Sequence, residues 1–437
     1  MGELIYQPQL SFDARVGVKR STLNDIANGK LEDESSMDVD SEKKPMKLRP
    51  SSYLVGQQLQ EAIDAGEDLE ISWPWHEGQI QNWIGAEALW KHALKQLLDN
   101  PRAATALVLV TIPHGLSKTD LERITQIFFE RFNVPVFSMV ERPILGLYAV
   151  GATSGLFIEL GWDSTDLVPV VETIPQTFSS THWKFGIKDL VIYLANLLKN
   201  DSYLLNHEKL KNLNENEQYD ALLDISQKLF EHPKALSLVP EEKEDKKKKG
   251  EEFDIASALV NGQEKNLIEE KNAKENNPAA AHDRFDLEWH GENISIGKIR
   301  HRFWEPLFNV ELLNGLKGID ENATKINLSE AIINTVEQCE FEFKPRIYNG
   351  MVLAGPLAGV NGFSQLIIPH VAPYLPKGEV SEFQASSSTL RVLRVPDYFA
   401  EFKGREDLNT YLGASIVAKV SLNLSIDKKK IILIIFK

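Results

Sequence analysis

The run ALVLVTI at 106–112 sets the strongest limit on what this chain can fold into. A strand that is apolar on both faces has no side to give to water, so it belongs inside a sheet covered by helices. The covering element follows at once: Ser117 and Asp120 form a capping box, and Leu121, Ile124, Phe128 and Phe132 recur on one helical face. The unit then repeats. FNVPVFSMV (132–140) reads as a strand, and RPILGLYAVG (142–151) as a helix opened by Pro143 and closed near Gly151. LFIEL (156–160) and LVPVV (167–171) make a hairpin about the polar tip GWDSTD, followed by an amphipathic helix at 185–198. Further on, LEWHGENISIGKIRHRFWEPLF (287–308) gives two short strands about HGEN, and LSEAIINTVEQC (328–339) a helix. GMVLAG (350–355) is a strand ending in the Gly-rich turn AGPLAGVNGF (354–363), with another helix behind it. The expectation is an α/β fold of mixed sheets flanked by helices.

A chain of 437 residues has room for two domains or one large bilobed fold. Its net charge of −15 repels phosphate backbones, so direct nucleic-acid binding would need a local basic patch acting against the mean field. The single cysteine, Cys339, provides neither an intramolecular disulfide nor a cysteine metal cluster, which suits a reducing compartment. His76, His92 and His114 share no metal-ligand spacing, and no Gly-x-Ser-x-Gly or Cys–His pattern marks a hydrolase nucleophile. No secretory leader is apparent, and the longest apolar stretch, IILIIF at 431–436, falls well short of the ~20 residues a bilayer requires.

Three segments stand apart by composition. Residues 1–52, with DESSMDVDSEKKP at 33–45, read as flexible or incomplete; about 200–285 reads as a charged, mobile insertion. KKPMKLRP (43–50) and KKKK (246–249) allow import or weak nucleic-acid contacts, but acidic neighbours cancel much of the second run's field, and a solvated linker is the plainer reading. The clustered Trp73, Trp75, Trp83 and Trp90 are better explained as core and corner packing than as a partner groove.

Local strings narrow the fold. WPWHEGQIQNWIGAEALWKHAL (73–94) resembles the actin segment in which a Pro-x-x-x-Gly turn leads to Asn-Trp and a Trp-bearing helix. TQIFFERFNVPVF (125–137), LYAVGATSG (147–155), GIKDLVIYL (186–194), GKIRHRFWEPLF (297–308) and YLGASIVAKVSL (411–422) resemble further actin segments in the same order. The chain is therefore identified as a member of the actin superfamily. VPDYFAEFKG (395–404) and the charged insertion are similar to the divergent nuclear branch, the actin-related subunits of SWI/SNF and RSC chromatin remodellers. The resemblance implies a duplicated, RNase H-like bilobed fold. It comprises a small lobe at 53–154 plus 364–422, a large lobe at 155–363 and an atypical tail at 423–437. That tail, NLSIDKKKIILIIFK, departs from the family; with the missing first strands it reads as a truncated isoform, an imperfect gene model or real divergence.

Actins hold ATP between two loops of backbone N–H groups, each with an Asp that orients waters around the metal. Where the second loop would read Asp-x-Gly-Asp-Gly-x-Thr-His, this chain has Glu159-Leu160-Gly161-Trp162-Asp163-Ser164-Thr165-Asp166. Trp162 crowds a phosphate approach, and Asp166 adds negative charge. The water-positioning Gln of the family aligns with Arg142, a fixed cation. The first loop is treated as absent, since FDARVGVKR (12–20) offers only Asp13 and Gly17 without a proper preceding strand. The adenine-side Gly-Gly turn becomes Gly355-Pro356, with Gly362 kept. These glycines are better explained as turn formers at strand ends than as parts of a working nucleotide site.

The resemblance thus implies a degenerate nucleotide site with weak or absent ATP binding, no metal and no catalysis. It also implies an apolar groove between the lobes, involving Tyr148, Val150, Val417 and Val420, that receives the helicase-SANT-associated helix of a motor subunit beside a second actin-related protein. Ordinary hinge packing explains the same four residues. The expected function is a non-catalytic, nuclear subunit regulating transcription through an ATP-dependent remodeller, with no direct nucleic-acid or membrane contact. The alternative is an ATP-hydrolysing actin-like protein of cytoskeletal or kinase-relative type.

Overall fold

The computed structural model describes residues 8–27, 48–76, 78–98, 107–232, 235–238, 284–320, 323–375, 390–423 and 431–434. A first antiparallel sheet joins β1 (Val16–Lys19), β2 (Leu54–Val55) and β3 (Leu69–Ser72), with β1 in the middle. Helix α1 (Arg20–Ala27) follows β1, and α2 (Gln57–Asp64) follows β2. β1 and α1 lie where the sequence reading placed a flexible segment. Val16 and Val18 drive the correction: both are buried, and Gly17 between them admits Leu59 so closely that a Cβ would lie 2.4 Å from its Cδ1. The acidic stretch 33–45 lies outside the described residues.

After the short hairpin β4 (Trp75–His76) and β5 (Gln79–Ile80), Asn82 accepts a bond from the Gly85 N–H and caps α3 (Trp83–Leu97). Then comes the predicted unit of β6 (Leu107–Ile112), α4 (Lys118–Gln126) and β7 (Val136–Glu141). β6 is buried throughout and pairs in parallel with β7, while Ser117 caps α4 by accepting from the Asp120 N–H. On its other side β6 pairs in parallel with a last strand, Ile431–Ile434. The apolar tail that departs from the family thus has a place in a sheet. Trp75, Trp90 and Phe128 pack edge-on or tilted in the core beside this sheet and Trp83 packs against it, the role expected of these tryptophans; Trp73, expected to pack with them, is instead 57% exposed.

β7 runs without a loop into α5 (Arg142–Ala149), and α5 leads to a second sheet. β8 (Gly155–Leu160) and β9 (Thr165–Val171) form the expected hairpin, with β10 (Ile174–Pro175) and β11 (Thr181–Trp183) along the far edge of β9. α6 (Ile187–Leu198) packs against α9 (Glu215–Glu231), which it reaches through the short helices α7 (Ser202–Leu205) and α8 (Glu208–Lys211). Leu204, Leu210, Leu222, Ile225 and Leu229 are buried in the core of this half, so residues 202–231 are integral helices, contrary to their expected place in a mobile insertion. Residues 239–283, with the KKKK run at 246–249, lie outside the described residues.

β12 (Phe285–Trp289) and β13 (Glu292–Ile296) turn at His290-Gly291, α10 (Leu328–Glu337) and α11 (Lys344–Tyr348) follow, and β14 (Met351–Ala354) joins β8 in parallel. α12 (Phe363–Val371) had been assigned to the small lobe. Phe363, Ile367, Val371, Leu375 and Leu390 instead belong to the core around the second sheet, because Gly355 and Gly362 turn the chain back over β14. The chain returns with α13 (Asn409–Asn423), and β15 is the strand Ile431–Ile434 already described. α5 and α13 run antiparallel in close contact: Leu145 packs with Ala414, Ala149 with Leu408, Tyr411 and Leu412. A Cβ on Gly413 would lie 1.9 Å from the Leu145 carbonyl oxygen, so only glycine lets these helices approach so closely. Among the described residues no helix is long and apolar enough to cross a membrane.

Candidate cleft site

Strand register assembles the centre of the site. Glu159 on β8 lies opposite Asp166 on β9, and Asp166 lies opposite His182 on β11. Directly paired residues share a face of the sheet, so three ionisable side chains stand in a row across three strands. Arg142, the first residue of α5, closes one end: its Nε is 3.2 Å from Glu159 Oε2, with the two side chains only 16% and 14% exposed. His182 closes the other, its Nδ1 2.6 Å from Asp166 Oδ1. The row therefore reads cation, carboxylate, carboxylate, imidazole. Burial raises the Glu159 pKa above the usual carboxylate range; the Arg142 guanidinium works against that and Asp166 reinforces it.

The tip of the β8–β9 hairpin is bonded to the protein itself. The Gly161 N–H donates to the Ser164 carbonyl at 2.9 Å, while the Gly161 and Trp162 carbonyls accept from the Ile187 and Lys188 N–H groups at 3.0 Å each. Thr165 is buried, its hydroxyl donating to the Phe185 carbonyl. Gly186 makes the docking possible, since a Cβ there would lie 2.2 Å from the Trp162 carbonyl oxygen. Trp162 is half-exposed. Asp163 is held by Lys188 at 3.2 Å and, from the β4–β5 hairpin, by His76 at 3.6 Å.

Beneath the tip, buried Asp189 accepts the Gly186 N–H on Oδ2 at 2.8 Å, and its Oδ1 has no hydrogen-bond partner among the described residues. Its pKa is pushed up to about 6, chiefly by burial; the Gly186 bond and Lys188 pull it down, and Asp320 and Asp163 push it further up. Beside the row, His114 Nδ1 meets Glu141 Oε2 at 2.6 Å, joining the loop after β6 to the end of β7.

Beside the hairpin, at the end of β14, the site is shaped by backbone. Gly355 has φ +87°, with a would-be Cβ 2.3 Å from the Leu160 carbonyl oxygen, and Gly362 has φ +86° at the start of α12. Of the residues expected at the site, Arg142, Glu159 and Asp166 share the charge row. Gly161 and Thr165 shape the hairpin tip, and Gly355 adjoins the end of β8. Gly362 lies beyond the short turn at 356–359. Asp13 is apart from them, paired with Arg15 at 3.1 Å. His76, His182, Gly186, Lys188 and Asp189 were not anticipated; pairing Thr181–Trp183 against the start of β9 would have found His182. Among the described residues no cluster of His, Cys, Asp and Glu is arranged to hold a metal ion.

The groove residues divide between the two ends of the helix pair. Val150 is buried with Leu147 and Phe157, whereas Val417 packs near Leu145 and Ala414. Tyr148 is half-buried, and Val420 faces solvent at 57% exposure.

Two sheets bridged by a helix pair, with a hairpin tip and a glycine turn side by side at the ends of the paired strands β8 and β14, define a class, and the comparisons agree with it. The actin family pattern matches residues 7–424, and the chain belongs to the actin family. It is 26% identical over 408 residues to the SWI/SNF and RSC complexes subunit arp9 of Schizosaccharomyces pombe, covering 81% of this chain and 74% of that one. It is 23% identical over 300 residues to actin-related protein 2 of Saccharomyces cerevisiae, covering 68% of this chain and 63% of that one.

Proposed function

We propose that this protein is a non-catalytic actin-related subunit of a nuclear, ATP-dependent chromatin-remodelling complex of SWI/SNF or RSC type, and that it regulates transcription by binding rather than chemistry. The observation that carries the non-catalytic reading is the Arg142–Glu159 ion pair. In a working actin cleft one of these positions orients the attacking water and the other the waters around the metal. Here the two neutralise each other, so neither is free for that task. Asp166 is likewise taken up by His182, and the tip's polar groups bond to α6. Weak or absent ATP binding follows, with no metal cofactor.

The remodeller assignment rests on the likeness to the fission yeast arp9 subunit over four fifths of the chain. The partners are a second actin-related protein and the helicase-SANT-associated helix of the motor, laid across the end of α5 and α13 where Val420 is exposed. Purification of a tagged copy from its own cells, with mass spectrometry of stoichiometric companions, tests this. A SWI/SNF-family motor together with another actin-related protein is expected; cytoskeletal companions, or none, would overturn the assignment. Phosphate release above blank from purified protein, not increased by Arg142→Gln, would overturn the non-catalytic half.

The left-handed geometry kept at Gly355 and Gly362 favours one second reading, a subunit that binds adenosine nucleotide without hydrolysing it. Titration with a fluorescent ATP analogue separates the two, with saturable micromolar binding favouring the second.

A further inference from the structure

Phe178 is fully exposed, Ile174 lies four residues before it in an exposed position, and Phe341 is exposed on the segment following α10. Two contacts fasten these segments to one another. The Ser179 hydroxyl donates to the Gln338 carbonyl at 3.1 Å, and the Thr335 hydroxyl meets that of Thr181 at 2.6 Å. Phe178 therefore projects from a short 3-10 turn, residues 177–179, anchored at buried Ser179. A folded chain that holds a phenylalanine wholly in water, with two further large apolar side chains on the joined segments, has the character of a contact surface.

The charges around this face favour one kind of occupant. Glu172, Glu340 and Glu342 are exposed, and their carboxylates form no ion pair among the described residues. The nearby cations are largely committed: Lys344 binds Glu337 at 2.6 Å and His182 binds Asp166, which leaves Arg346 as the local counterweight. An apolar centre with an acidic rim complements an apolar stripe flanked by Lys and Arg. A projecting aromatic ring also fits between side chains spaced i and i+4 on a helix.

We propose that the face bearing Ile174, Phe178 and Phe341 docks a basic amphipathic helix of a partner protein. This face is distinct from the end of the α5–α13 pair, and the proposal stands or falls apart from the remodeller assignment. The test measures fluorescence anisotropy of a labelled Leu/Lys amphipathic helical peptide, and of a Leu/Glu counterpart with the same apolar face, against the purified full chain.

The basic peptide should bind and the acidic one should not. Phe178→Ser, at a position too exposed to disturb folding, should weaken binding by on the order of tenfold with an unchanged melting temperature. Glu340→Gln combined with Glu342→Gln should weaken it by a smaller factor that vanishes at high salt. Equal binding of both peptides, binding untouched by Phe178→Ser, or loss caused instead by Val420→Asp would overturn the proposal. So would sedimentation in which the wild type dimerises and Phe178→Ser does not, since the occupant would then be a second copy of this chain.

Discussion

The two sides of the candidate site, the hairpin and the glycine turn beside it, differ in what defines them. On the hairpin side, side chains decide the character: Arg142, Glu159, Asp166 and His182 are bound to one another, and Trp162 stands at the tip. On the turn side the backbone decides it: Gly355 and Gly362 hold left-handed conformations, and Gly355 lies against the Leu160 carbonyl. Side-chain chemistry is lost or gained one substitution at a time, whereas a backbone turn that supports two strands and a helix cannot change without unfolding its neighbours. A fold can therefore persist while the side chains of a site change.

The largest expected effect probes that asymmetry. Gly355→Ala forces a Cβ against a backbone oxygen at φ +87° and should cost roughly 3–5 kcal/mol in urea unfolding. Trp162→Gly, at the half-exposed hairpin tip, should change stability by less than about 1 kcal/mol. Equal losses from the two would break the comparison.

The next effect tests whether the charge row is a closed pair. Arg142→Met leaves Glu159 buried beside Asp166 without its cation and should cost about 2–3 kcal/mol at pH 7.5. Burial already raises the Glu159 pKa, and loss of Arg142 raises it further, so lowering the pH protonates the carboxylate and returns part of the loss. A penalty equal at pH 7.5 and pH 5 would mean that Glu159 is not the group left uncompensated.

Much of the scaffold was legible because its signals are local. The two-faced apolarity of 107–112, the Ser117 cap and the polar tip at 161–164 each specify their own element. What the sequence concealed depends on pairing between distant segments. Asp166 looked like an unopposed charge, since nothing local reveals that His182 is its cross-strand neighbour. Gly186 looked like an ordinary helix start, and its need for space against Trp162 appears only when α6 docks on the hairpin. Residues 202–231 looked dilute in hydrophobics, yet the few they have are spaced to reach the core. Strand β1 was missed because four residues beside a polar stretch carry too short a period to register.

Asp189 offers a test of the hairpin wall through pH. Its ordinary value of 3.8 rises to about 6 in the fold, so the native state binds the proton more tightly than the unfolded chain. Stability at this site is then greatest below the unfolded value and falls as pH rises through the window from 3.8 to about 6. Asp189→Asn keeps an acceptor for the Gly186 N–H and removes the buried charge. Relative to wild type, the variant should gain about 1–2 kcal/mol between pH 4.5 and pH 7.5, measured by urea unfolding at both. A constant difference would show that the carboxylate is ionised across the window and that water reaches it.

The smallest effect concerns the contact between the β4–β5 hairpin and the β8–β9 tip. His76 comes from the β4–β5 hairpin and is half-exposed, and Asp163 keeps Lys188 when His76 is removed, so His76→Gln should alter global stability by less than about 0.5 kcal/mol. Its consequence should appear in local opening. With the contact gone, amide exchange at Trp162 and Asp163 should quicken, while exchange in β8 and β9 away from the tip stays as before. If exchange at the tip is unchanged, the bonds from Gly161 and Trp162 to α6 alone hold the hairpin. The wall would then be fixed entirely from within the half of the molecule built on the second sheet.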